Sequence, residues 1–145
     1  MKFSDDLPKY LALAVLAAGL GTFVWRLQAP SGTSKGPAVD VKVPALSMLA
    51  IDGKTAFDAN CATCHGLNAA GTDKGPPLVH DIYNPGHHAD GAFFLAVKLG
   101  VRQHHWPYGD MLPQRHVTEP QVAAIVQYIR ELQVANGIRY RPHGM

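Results

Sequence analysis

The chain has 145 residues, a mass of 15.6 kDa and a formal charge of +2, a length that holds one globular domain of about 100 residues and excludes a multidomain enzyme. Apolar residues make up 47% and charged residues 17%, the composition of a chain that mostly folds. Residues 46–145 carry eight Lys/Arg against eight Asp/Glu, so the globular part offers no basic face and nucleic acid is not an expected partner.

Residues 10–25, YLALAVLAAGLGTFVW, contain no charge. As a helix they would span about 24 Å, slightly less than the hydrocarbon thickness of a bilayer. Lys9 and Arg26 bracket the run and can snorkel, while Tyr10 and Trp25 stand where amphipathic rings prefer the interface. These flanks favour a single N-terminal transmembrane helix within residues 1–27. A cleaved secretory signal is the alternative, with poor cleavage sites: Pro30 follows Ala29, and cutting after Gly21 would strand Phe23, Val24 and Trp25. Either reading takes the remainder out of the cytoplasm. Residues 28–45, rich in proline and glycine, read as a flexible linker with an end-to-end distance of roughly 20–25 Å.

The domain proper, residues 46–145, is expected to be all-α. A first helix is predicted over about 52–61, DGKTAFDANC, with Gly53 and Phe57 on one face. A second is predicted over 90–100, with Asp90 as N-cap, Phe93, Phe94 and Val97 on its apolar face and Gly100 as its stop. The last helix is the best marked. Thr118 with Gln121 forms a capping box, Pro120 suits the first turn, and Val122, Ile125, Val126, Ile129 and Leu132 recur at helical spacing before Asn136-Gly137.

Cys61-Ala62-Thr63-Cys64-His65 reads C-x-x-C-H, the c-type haem attachment sequence. On one helical turn two thiols can reach two vinyl groups of one porphyrin, and the adjacent His then lies under the iron. A redox C-x-x-C would need a preceding βαβ pattern, and a zinc site another Cys pair; the sequence has neither. One covalent haem c is therefore expected, with His65 as an iron ligand. Candidates for the opposite ligand are Met111, His104, His105, His116 and Met145. A thioether there makes a high-potential carrier, whereas an open position would bind small gases or peroxide.

Carried by that motif, residues 46–137 resemble a small class I monohaem cytochrome c, and the N-terminal run makes the chain similar to the membrane-anchored members. The resemblance implies a small helical domain wrapped around the haem, lying in the periplasm, where covalent attachment takes place. It implies that Gly53 and Phe57 of the first helix pack on an aromatic of the last, with Tyr128 the candidate to meet Phe57. Gly75-Pro76-Pro77-Leu78 resembles the family's Gly-Pro-x-Leu loop, which implies that the Pro76 carbonyl accepts the Nδ1 hydrogen of His65 and that Leu78 packs on haem. The loop 108–113, YGDMLP, looks like the family's Met loop, with Met111 as ligand; the family usually puts Pro directly after the Met, and here Leu112 intervenes. Bis-His or open ligation stays in play for that reason. Arg102, Trp106 and Tyr108 match in type the residues that hold the haem propionates.

Eight histidines remain a distinguishing feature, with His87-His88 and His104-His105 as adjacent pairs. They read as polar groups at the rim of the haem, or as ligands of a second metal, copper or zinc, drawn from one residue of each pair. The leading functional reading is a membrane-tethered electron carrier between periplasmic or membrane redox partners. The alternatives are the haem c subunit of a larger dehydrogenase or oxidase, and a haem sensor or peroxidase.

Overall fold

The computed structural model describes residues 10, 11, 15, 19–22 and 38–142. It divides into two compact units, residues 1–33 and 34–145. In the first, the described residues are helical and Tyr10, Leu11, Val15 and Leu20 are exposed. Among the described residues no helix is long and apolar enough to cross a membrane; most of the expected anchor, with its flanks Lys9, Trp25 and Arg26, lies outside them.

The second unit is helical: α1 (Met48–Asn60), α2 (Ala62–His65), α3 (Asp90–Leu99) and α4 (Glu119–Ala135), with short 3-10 turns at Leu67–Ala69 and Asp81–Tyr83. Among the described residues the β-type pairing is a single antiparallel bridge, Val101 with Met111.

α1 and α4 cross at the centre. Phe57, Tyr128, Ile129 and Leu132 have no exposed surface, and each such side chain contributes about 1.5–3 kcal/mol by leaving water. The Phe57 and Tyr128 rings meet at 5.7 Å with a 59° tilt, the geometry in which the edge of one ring faces the electron-rich face of another. α4 begins as its capping signal predicts: the Thr118 backbone N–H donates to Gln121 Oε1 at 2.9 Å. It ends at Asn136, followed by Gly137 at φ +80°.

Three boundaries differ from expectation. α1 starts earlier than residue 52, because Ser47 caps it: Ser47 Oγ accepts from Ala50 N at 3.3 Å and donates to Glu131 Oε1 at 2.6 Å. That carboxylate comes from α4, so no local pattern announces it. Asp90 is the first residue of α3 rather than its N-cap, which is Ala89; its carboxylate instead pairs with Arg130 at 2.8 Å. The linker expected over 28–45 is not free throughout. Val39 N donates to Ala70 O at 2.9 Å, Lys42 exchanges two hydrogen bonds with the Asn136 side chain, and Val39 and Val41 pack on the core. Alternating valines let an extended strand bury one side.

Arg130 and Gln133 of α4 hold the chain that leads into α3. Arg130 donates to the carbonyls of Tyr83 at 2.8 Å and His88 at 2.6 Å, and lies over the Phe93 ring at 5.1 Å. The buried Gln133 amide donates to the carbonyls of Leu78 at 2.9 Å and Tyr83 at 3.0 Å. The carbonyls of Leu78, Tyr83 and His88 are therefore satisfied by side chains of α4 rather than by a sheet.

Candidate functional site

α2 is one turn of helix that starts as soon as α1 ends. His65 N donates to Cys61 O at 2.9 Å, so Cys61, Cys64 and His65 ride on a single turn. Cys61 is half-buried, Cys64 exposed, and the two are not joined to each other. The Cys61 thiol is pushed up to about 11, by burial first and then by Cys64 beside it. His65 is held below the usual histidine range by burial, against the Pro76 carbonyl, which acts the other way.

His65 Nδ1 lies 2.9 Å from Pro76 O. A carbonyl can only accept, so Nδ1 carries the proton and the lone pair sits on Nε2. This carbonyl-to-imidazole contact is how metal-ligating histidines are usually oriented.

His65 lines a cavity of about 370 Å³, together with Cys61, Pro76, Leu78 and Phe57. α3 supplies the opposite wall. Phe93 and Val97 face in, as expected, with Ala92, Leu95 and Ala96; Phe94, expected beside them, packs against the core instead. Val122 and Ile125 of α4 close the base.

Met111 lines the same cavity. Its backbone is pinned to Val101 by two hydrogen bonds of 2.9 Å, and Gln114 N donates to Val97 O at 2.7 Å, tying the loop to α3. Gly100 makes this possible. It sits at φ +77°, and a Cβ there would stand 2.4 Å from Met111 O, so a side chain would be both strained and in collision. Leu112, the departure from the family pattern, turns outward with 73% of its surface exposed, and Pro113 rests against Gly100.

Trp106 and Tyr108 reach the cavity, and Arg102 does not. Arg102 is exposed, and within residues 101–106 it is the residue that does not line the cavity. Trp106 is set edge-on against His80 at 5.1 Å. Its indole Nε1 is buried beside the Tyr83 phenol and makes no hydrogen bond of good geometry, so an acceptor on a ligand would satisfy it.

Tyr83 lines the cavity too, and no sequence signal marked it. Its phenol is pushed up to about 12, by burial first, with the nearby Trp106 indole acting against that and Tyr108 adding to it. Nothing local distinguishes Tyr83, since its place depends on Arg130 and Gln133, some 50 residues on in the chain.

A family model described as Cytochrome c matches residues 50–133. The chain belongs to the cytochrome c family. No curated protein and no solved structure matches the chain. A cytochrome c domain binds covalent haem c and transfers electrons. This cytochrome c has residues that suit the group. The cavity is apolar, the Cys61 thiol lines it with Cys64 on the same helical turn, an imidazole offers a lone pair with its other nitrogen already committed, and a buried indole N–H could donate to an acceptor such as a carboxylate.

Among the other candidate iron ligands, His104 and His105 also line the cavity. His116 is exposed, bonds Asn60 at 3.0 Å and does not line the cavity; Met145 lies outside the described residues. The two adjacent-His pairs come together. His87 Nε2 is 3.1 Å from His105 Nε2, and the His88 ring lies 5.3 Å from that of His105 and 6.0 Å from that of His104. Burial first, and then the neighbouring imidazoles, hold His88 and His105 below the usual histidine range; in His88 the Ile82 carbonyl opposes this.

Proposed function

We propose that this chain is a membrane-anchored, class I-type cytochrome c that carries single electrons between redox partners in the periplasm, with its iron held by His65 and Met111. The observation that carries the ligand assignment is the shared cavity. His65, with Nδ1 bonded to Pro76, and Met111, pinned by its bridge to Val101, both line it.

When bound, haem c supplies a one-electron iron couple, and a thioether opposite an imidazole favours the reduced state. The chain's own residues do the rest. Cys61 and Cys64 form the thioether links. Pro76 fixes the His65 tautomer and ring plane, so that Nε2 is always the ligating nitrogen. Leu78, Phe93, Val97 and Ile125 exclude water from the cavity, which keeps the change in solvation small when the charge changes. Trp106 Nε1 and the Tyr108 phenol would hold the propionates, with Arg102 left to solvent.

The expected docking edge is apolar. Leu95 and Leu99 lie one turn apart on α3 and Leu112 follows Met111, with 58, 65 and 73% of their surfaces exposed. Equal numbers of acidic and basic residues in 46–145 leave no lysine-rich patch, and a small, mainly apolar edge suits a brief electron-transfer encounter. Anchoring is supported by the uncharged run 10–25 between Lys9 and Arg26.

Carbon monoxide tests the reading. The reduced protein at neutral pH should not bind it, because His65 and Met111 would both hold the iron. Binding would make the protein a sensor or peroxidase. Fractionation of cells expressing the full chain should place the haem in the membrane pellet, accessible to protease from the periplasmic side.

A further inference from the structure

We propose that His87, His88 and His105 form a second metal site at the mouth of the haem cavity, binding one divalent transition-metal ion, with copper(II) preferred to zinc(II).

The ligand atoms of these three residues all lie within 4.8 Å of one another. His87 Nε2 and His105 Nε2 stand 3.1 Å apart. Two imidazole nitrogens on one ion at about 2.0–2.1 Å are separated by roughly 2.9–3.4 Å, so this pair is already at coordination distance. The third member is oriented by a neighbour of its own. His88 Nδ1 lies 2.8 Å from the Ile82 carbonyl, which places the proton on Nδ1 and the lone pair on Nε2, the arrangement typical of a metal-bound histidine.

The two segments that bring the ligands together are braced independently. His87 and His88 both donate backbone N–H groups to Asn84 O, at 3.0 and 2.9 Å, while Arg130 takes the His88 carbonyl at 2.6 Å. The loop carrying His105 is closed by Gln103 N to Asp110 at 2.8 Å and by Gly109 N to the Gln103 side chain at 2.7 Å. A site built this way does not need to order its backbone when the ion arrives, so little of the binding energy is lost to entropy.

The donor set names the ion. Three imidazoles and no carboxylate suit copper and zinc rather than calcium or magnesium, which take oxygen ligands. Between the two, the usual stability order puts copper(II) first. His88 and His105 also line the haem cavity, so a bound cation would sit beside the haem edge and oppose a further positive charge on the iron. The site is argued from the histidines alone and stands whether or not Met111 caps the iron.

The test uses the untagged, haem-loaded full chain, stripped of adventitious metal by chelator, and copper(II) chloride or zinc(II) chloride added alone at neutral pH. Equilibrium dialysis should show one saturable ion per chain, and the paramagnetic resonance of the copper form should carry hyperfine structure from imidazole nitrogens. His87→Ala and His105→Ala should each weaken binding at least tenfold, while His116→Ala should leave it unchanged. With copper bound, the haem potential of the native protein should rise, and that of His105→Ala should not. No saturable binding, a copper spectrum without nitrogen coupling, or equal affinity in the native, His87→Ala and His105→Ala proteins would overturn the proposal. The resonance spectrum needs only the native protein, so a variant that fails to fold does not spare the claim.

Discussion

Gly53 and Ala124 are in direct backbone contact across the α1–α4 crossing: a Cβ at position 53 would stand 1.9 Å from the Ala124 carbonyl oxygen. The helices can approach only because one of them lacks a side chain there, and this approach brings Phe57 onto Tyr128. Gly53→Ala should therefore destabilise the haem-loaded protein by about 2–3 kcal/mol, the usual cost of forcing extra atoms into a packed core. Denaturant melts followed by far-ultraviolet circular dichroism measure it. A loss below about 0.5 kcal/mol would mean the helices separate freely.

Trp106→Phe keeps a flat, smaller ring against His80 and removes the indole N–H. If that donor holds a propionate, its loss leaves the carboxylate charge freer to stabilise oxidised iron, and the potential falls. A change of about 0.5 kcal/mol corresponds to roughly 20 mV in a one-electron couple. A redox titration in which native and variant coincide would remove Trp106 from the propionate site.

Glu131 receives two hydrogen bonds from Ser47, at 2.6 Å from the hydroxyl and 3.0 Å from the backbone N–H. The Ser47 hydroxyl above all, with help from the Gln127 amide and the Ser47 backbone N–H, holds its carboxyl below the usual glutamate range against the opposing effect of burial. A group with a depressed folded pKa stabilises the fold above its unfolded pKa and loses that contribution as pH falls through the folded value. Glu131→Gln should therefore be less stable than the native protein at neutral pH, by about 0.5 kcal/mol for so open a contact. The gap should close below the usual glutamate range. Equal melting temperatures at pH 7 would discount the α1–α4 tie.

Arg130→Met should cost about 2 kcal/mol, since the carbonyl of His88 and the Asp90 carboxylate lose a donor. Hydrogen exchange should accelerate most at residues 83–90, with α1 barely affected. Uniform acceleration would show that Arg130 supports the whole domain rather than this segment.

The pattern of what was legible in the sequence follows the range of the interactions. The C-x-x-C-H turn, the Thr118–Gln121 cap and the apolar stripe of α4 are formed by residues within a turn or two of each other, so their spacing alone announces them. The Phe57–Tyr128 contact was reachable because each residue sits on a readable helix face and the family resemblance pairs them. The earlier start of α1 at Met48 was not, because Ser47 owes its place partly to Glu131, 84 residues away. The docking of residues 39–42 depends in the same way on Ala70 and Asn136. Arg102 matches the propionate-holding residues in chemistry alone, and only the folded loop shows that it is exposed while its neighbours line the cavity. Adjacent His pairs hint at a cluster, but a separation of 18 residues between His87 and His105 needs two braced loops to become 3.1 Å.

The most direct test of the account is the far-red absorption of the oxidised native protein, where a bond from methionine sulfur to iron gives a weak charge-transfer band. The native spectrum should contain that band, and Met111→Ala should lack it while keeping the covalently attached haem and the α-helical circular dichroism. A native protein without the band, or a Met111→Ala protein that retains it, contradicts the pairing of His65 and Met111 across the cavity.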